Sequence, residues 1–125
     1  YQEKYVKIGN FSSESGYSMM KELIENLGEQ LPTAFFMASD ALAVGALRAL
    51  QEADISVPIR VSLIAFNDTS IAKYVYPPLS TVTVFTEEMG RQGLQLLHEE
   101  FQHPGSTIPR MVTLATKLTL RKSSL

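Results

Sequence analysis

A chain of 125 residues that is 45% hydrophobic and 19% charged has the size of one domain and the apolar content of a folded one, not of a disordered tail. With no cysteine, and eleven basic against thirteen acidic residues for a net charge of −2, it excludes a disulfide scaffold, thiolate metal sites and a cysteine nucleophile. It also lacks the basic excess of a stand-alone nucleic-acid binder, and no apolar run approaches the ~20 residues of a membrane span.

In chain order, Tyr5-Val6-Lys7-Ile8-Gly9 reads as a strand that ends in the polar turn Asn10-Phe11-Ser12-Ser13. A helix is expected next, capped by Ser12 or Ser13, with Glu14 in the first turn where the helix dipole favours an acid. Its apolar stripe is Tyr17, Met20, Leu23, Ile24 and Leu27, and Gly28 is its stop. Pro32 opens Thr33-Ala34-Phe35-Phe36-Met37-Ala38, the continuous apolar run of a strand buried on both faces of a parallel sheet. Asp40 is placed to cap a helix over about 41–53. Val61–Phe66 repeats the strand, Asn67-Asp68 the turn, and a short helix over about 69–75 follows. Such repeated strand–turn–helix units predict an α/β fold with a parallel sheet and right-handed crossovers.

Pro77-Pro78 ends the third unit, and Leu79–Phe85 has strand propensity. An amphipathic helix from Glu87 to about Gln102 carries Met89, Leu94, Leu96, Leu97 and Phe101, the loop His103-Pro104-Gly105-Ser106 closes it, and Met111–Leu120 reads as a last strand or pair of strands. Residues 110–125 hold Arg110, Lys117, Arg121 and Lys122 with no acid, the pattern of a frayed, solvated terminus. The chain begins at Tyr1 and enters an apolar run at once, so it is expected to be a piece of a longer polypeptide.

Ligands of open α/β sheets bind beyond the carboxyl ends of the strands. Those ends carry Asn10-Phe11-Ser12, Ser39-Asp40 and Asn67-Asp68. Amides and carboxylates bridge adjacent hydroxyls, and an aromatic face covers the C–H face of a sugar ring, so the set suits a neutral polyhydroxylated ligand better than a phosphate. The same residues also serve as helix caps and turns, and composition does not separate the two readings. His98 and His103 fall away from these ends, and no nucleophile elbow, phosphate loop or metal-ligand cluster appears. Neither an enzyme, a cofactor nor a metal is expected. Ala41–Leu47 is apolar all round, so it needs cover on two sides. The sheet covers one side; self-association with the Tyr74–Pro78 segment would supply the second, and so would the chain's own last helix.

These residues resemble the LacI/GalR family of bacterial sugar-responsive repressors. The likeness is carried by PTAFFMASDALAVGALRALQEADISVP, VSLIAFNDTSIAKYVYPPLSTV and the ending VTLATKLTLRKSS. It implies a periplasmic-binding-protein-like (type I), three-layer α/β effector domain of two subdomains, behind a DNA-reading headpiece. On this resemblance residues 1–84 form the C-terminal subdomain, 85–110 a helix and loop that pack on a missing N-terminal subdomain, and 111–125 the returning strands and tail. The family's effector contacts fall on Asn10, Phe11, Ser39, Asp40, Asn67 and Asp68, and its dimer contacts on Val44, Leu47, Arg48, Ile71, Tyr74 and Val75. Asn10, Ser39 and Asn67 stand where the family usually has Asp, Asn and Asp, which puts the identity of the sugar in question. The resemblance further implies a bacterial cytoplasmic homodimer that takes galactose or a β-galactoside as effector and meets operator DNA through a headpiece outside this chain. An extracytoplasmic sugar-binding transport protein, which shares the fold, is the alternative.

Overall fold

The computed structural model describes residues 3–105 and 108–125. The chain divides into two compact units, Tyr1–Thr83 with Leu118–Leu125 and Val84–Lys117. In the first unit, helix α1 spans Ser13–Leu27, strand β1 Ala34–Phe36, helix α2 Asp40–Glu52, strand β2 Ser62–Asn67, the single-turn helix α3 Ile71–Tyr74 and strand β3 Ser80–Thr83. Helix α4 spans Thr86–Gln102 and strand β4 Lys117–Thr119. The sheet order is β1-β2-β3-β4. β1 runs parallel to β2 with Phe35 opposite Leu63, and β2 runs parallel to β3 with Ala65 opposite Thr81. The fold is α/β, as the repeated units predict.

The start of α1 follows its local chemistry. Ser12 is the cap, its hydroxyl accepting from Ser15 N at 3.1 Å, and Gly28 closes the helix at φ 50°. Met20 and Leu23 of its stripe are buried against the core of Ala43, Ala46, Leu47, Leu50, Leu63 and Ala65. Two glycines set how closely α1 meets α2. A Cβ on Gly16 would lie 2.1 Å from Leu42 O, and one on Gly45 would lie 1.9 Å from Ser13 O. Backbone meets backbone at this crossing, and no larger residue fits without separating the helices. Here is the cover that the all-round apolar face of α2 requires. It comes from α1, so that face does not by itself call for a second molecule.

Four expectations are corrected. Tyr5–Gly9 is not a strand: Glu3–Tyr5 makes a 3-10 turn and Val6 N bonds back to Glu3 O at 2.9 Å, so the segment's strand propensity finds no ladder. β1 is shorter than the apolar run and lies at the sheet edge, with Phe36 65% exposed, so it is not buried on both faces. The cap of α2 is Ser39, whose hydroxyl accepts from Leu42 N at 3.2 Å; Asp40 is the first helical residue and points its carboxylate inward.

The fourth concerns the tail, whose end is built into the structure. Ser123 is buried, its hydroxyl donates to Leu63 O at 2.7 Å and accepts from Ser80 N at 2.8 Å, and Leu63 N donates to Ser123 O. Main-chain groups of β2 and β3 thus find partners in the last residues of the chain, where a frayed end would leave them orphaned.

The second unit is open by comparison. No residue of α4 is buried, and Met89, Leu94, Leu97 and Phe101 are exposed. Arg110 pairs with Glu99 of α4. Ser106, at the end of the expected loop, lies outside the described residues. No described helix is long and apolar enough to cross a membrane.

Candidate functional site

Helices α1 and α2 begin at the same end of the unit. Gly16 and Ser13 meet Leu42 and Gly45 there, while Lys21, Ile24 and Glu25 line one groove with Ala49, Glu52 and Ala53 further along. The turn that leads into α1 therefore lies at the end where α2 starts, beyond β1. In it, Asn10 Oδ1 accepts from Ser12 N at 3.0 Å, an Asx turn that aims the chain into the Ser12 cap. Asn10 is exposed, and Phe11 is 70% exposed.

The acids of the expected site behave differently from its amides. Asp40 is 1% exposed. Its Oδ2 accepts from Thr69 N at 2.6 Å and Thr69 Oγ1 at 2.8 Å, and its Oδ1 from Thr81 Oγ1 at 2.8 Å. One carboxylate thereby ties the start of α2 to the loop after β2 and to β3. Its oxygens face donors of the protein, so the carboxylate braces this end of the sheet from within.

Asp68 is tied as firmly on the other side of the same loop. Its Oδ1 accepts from Arg121 Nη2 at 2.7 Å and its Oδ2 from Thr83 Oγ1 at 2.8 Å. Thr83 Oγ1 spends its proton on Asp68, so the 2.6 Å contact with Thr119 Oγ1 is donated by Thr119. Burial raises the cost of charge on Asp68, yet Arg121 and Thr83 outweigh it and hold the carboxyl below its usual range.

Between these two anchors the backbone is strained. Asn67 has φ 106° and Asp68 φ 60°. Asparagine and aspartate tolerate positive φ better than other non-glycine residues. Each such residue still costs on the order of 1–3 kcal/mol and persists only where its surroundings over-determine it. The Asp40–Thr69 and Asp68–Arg121 ties are those surroundings. They hold Asn67 at the mouth of β2 with its side chain exposed.

The carboxyl edge thus carries the exposed amides of Asn10 and Asn67 and the exposed Phe11, together with Ser39, which is buried at the start of α2. Two carboxylates already taken by protein donors hold the frame. That surface can hydrogen-bond hydroxyls and stack on an apolar ring face, and it offers no free charge. Thr69, Thr81, Thr83, Thr119 and Arg121 complete the frame, and no sequence pattern assigns them to it, because their partners lie 15 to 53 residues away. Among the described residues no group of three or more His, Asp or Glu could hold a metal.

The residues expected at a dimer face divide in two. Leu47 is 3% exposed and belongs to the core of this chain, whereas Tyr74 is 83% exposed and Ile71 is exposed. Val44 and Val75 are half-buried. Arg48 is exposed, donates to Glu52 Oε1 at 2.8 Å and lies over the Tyr17 ring, and the Tyr17 hydroxyl donates to Glu52 Oε2 at 2.6 Å. The Tyr17 hydroxyl and Arg48 together hold the Glu52 carboxyl below its ordinary value.

A family profile described as a periplasmic binding protein-like domain matches residues 1–124. The HTH-type transcriptional regulator GalR of Streptococcus thermophilus is 50% identical over 124 residues, which is 99% of this chain and 37% of that protein. The solved structure of the transcriptional regulator CelR in complex with cellobiose superimposes with a TM-score of 0.91 at 33% identity, over 99% of this chain and 37% of that one. The crystal structure of the Lac repressor dimer bound to operator and an anti-inducer gives a TM-score of 0.81 at 27% identity, over 94% and 40%. The chain spans about a third of the length of the curated relatives it matches.

Proposed function

The chain belongs to the periplasmic-binding-protein-like family, in the branch of the LacI/GalR transcriptional regulators, and we propose that it is the sugar-binding and dimerising part of such a regulator. The observation that carries this reading is the carboxyl edge, where Asn10, Phe11 and Asn67 stand exposed on a frame of satisfied carboxylates. A sugar lies with one face on Phe11 and its hydroxyls on Asn10, Asn67 and Ser39, while Asp40 and Asp68 hold the loop beneath. Galactose or a β-galactoside is the proposed effector, with Asn67 and Asn10 in place of charged residues favouring a neutral ligand.

In the regulator so proposed, residues 1–84 and the returning segment 111–125 form one wall of the sugar cleft, and residues 85–110 pack on the other subdomain. The exposed apolar face of α4 supports that placement. Exposed Tyr74 and Ile71, with Val44, Val75 and Arg48, are the proposed contacts to the second subunit, and Leu47 supports them from within. Sugar binding alters operator affinity because the ligand fits one arrangement of subdomains better than another, and allostery requires that differential affinity. The protein acts in the bacterial cytoplasm, where the operator is.

The test is operator release. The regulator on labelled operator DNA is titrated with galactose, lactose, melibiose and ribose, and a galactose-containing sugar changes operator affinity at least fivefold. No response to any sugar that also fails to bind by calorimetry would overturn the reading.

A further inference from the structure

The last residues of the chain meet the proposed sugar edge at one point. Arg121 Nη2 donates to Asp68 Oδ1 at 2.7 Å, and Arg121 Nη1 donates to Leu79 O at 2.8 Å. Its backbone N donates to Ser80 Oγ at 2.8 Å, and that hydroxyl also lies 2.7 Å from Ser124 Oγ. Lys122 N donates to Pro78 O at 3.1 Å. The backbone of Arg121 and Lys122 is thus tied to β3 and its entry, and the guanidinium itself is anchored on Leu79 O where it reaches Asp68. Both members of the pair are largely buried, with side-chain exposures of 16% and 10%. A planar guanidinium with one nitrogen on Leu79 O and the other on Asp68 Oδ1 offers the carboxylate a fixed donor, which a mobile ammonium does not.

Asp68 follows Asn67, and both have positive φ. With Arg121 gone, a single neutral hydroxyl, Thr83 Oγ1, is left on the Asp68 carboxylate, a weaker hold than a charged donor against a return to a relaxed backbone, and the Asn67 amide would move with it. The Asp40–Thr69 tie holds only the other side.

We propose that Arg121 is a positioning residue for the effector: through Asp68 it sets the strained Asn67–Asp68 turn, and so presents Asn67 to a polyhydroxylated ligand. This rests on the sugar-binding reading above. It assigns to the C-terminal segment a share in ligand affinity, although Arg121 itself touches no ligand.

The experiment compares the wild-type regulator with Arg121→Met, Arg121→Lys, Asp68→Asn and the double variant, with Lys122→Met as a charge-matched control whose side chain is exposed. Galactose affinity is measured by calorimetry, and amide exchange at Asn67, Asp68 and Thr69 by mass spectrometry without ligand. Arg121→Met weakens galactose binding tenfold or more and speeds exchange at the three amides at least tenfold. Lys122→Met changes neither. Arg121→Lys recovers part of both, and adding Asp68→Asn to Arg121→Met brings no further loss. Arg121→Met that lowers the melting temperature while leaving exchange at the turn and galactose affinity within twofold of wild type would overturn the proposal and show a structural brace only. Exchange that speeds up in Arg121→Met when the wild type binds no sugar at all would leave the brace intact but refute the link to ligand, and with it the sugar reading.

Discussion

Replacing Gly45 by alanine tests the helix crossing at the end of the unit where the proposed sugar edge lies. The added methyl would lie 1.9 Å from Ser13 O, 2.6 Å from Tyr17 N and 2.8 Å from Ser13 C, all backbone atoms of α1. Ordinary contact needs about 3.4 Å, so α1 must retreat by about 1.5 Å. Overpacking against backbone falls at the upper end of the ~1–3 kcal/mol range, and the retreat loosens Met20 and Leu23 in the core. Against this stands a gain of about 1 kcal/mol, since alanine is the better helix former. The net loss is about 2 kcal/mol, which for a domain this size lowers the melting temperature by about 8 °C. Gly93→Ala is the internal control, because its Cβ would meet nothing within 4 Å, and it leaves the helical signal unchanged or slightly higher. Thermal unfolding followed by circular dichroism reads both. A Gly45→Ala chain that melts at or above the wild type would refute the close crossing.

Three further outcomes follow from the frame. Asp40→Asn replaces an acceptor of three hydrogen bonds by a group that also carries donors, and lowers the unfolding free energy by about 3 kcal/mol in urea denaturation; a change under 1 kcal/mol would mean that the three bonds matter little. Asp68 is held below its usual pKa by Arg121 and Thr83 against the effect of burial. Its stabilising contribution is therefore present above the unfolded carboxyl value of about 4 and lost as pH falls through the lower folded value. Melting temperatures between pH 6 and 2 fall more steeply for the wild type than for Asp68→Asn, and parallel curves would contradict the ion pair. Tyr74→Glu, at a site 83% exposed, leaves monomer stability within about 0.5 kcal/mol and shifts sedimentation of the regulator toward monomer. An unchanged dimer would remove this segment from the interface.

How much of this was legible in the sequence follows the distance between partners. The cap at Ser12, the stripe of α1 and the stop at Gly28 are local, and they stand in the structure as the residues predict. The Tyr5–Gly9 segment has strand composition but no neighbour to ladder with, and strand propensity without pairing does not make a strand. Asp40 was legible as an acid at a helix start, and helix capping was the obvious use for it. Its real partners, Thr69 and Thr81, are 29 and 41 residues away, and no local pattern points to them. The tail shows the same limit. Arg121 and Ser123 read as a basic, solvated end, yet their partners Asp68 and Leu63 lie 53 and 60 residues back. For the apolar stretch Ala41–Leu47 of α2, the glycine at position 45 was the available signal that a helix of the same chain lies against it, since a close crossing needs a residue with no side chain.

The most direct test of the account is a crystal structure of the regulator grown with whichever galactose-containing sugar stabilises it most. The sugar ring is predicted against the exposed face of Phe11, with hydroxyls on Asn10, Ser39 and Asn67. The Asp40 carboxylate should remain on Thr69 and Thr81, and that of Asp68 on Arg121. A sugar seated away from the carboxyl ends of β1 and β2, or bound directly by the Asp40 carboxylate after its threonine bonds break, would contradict it.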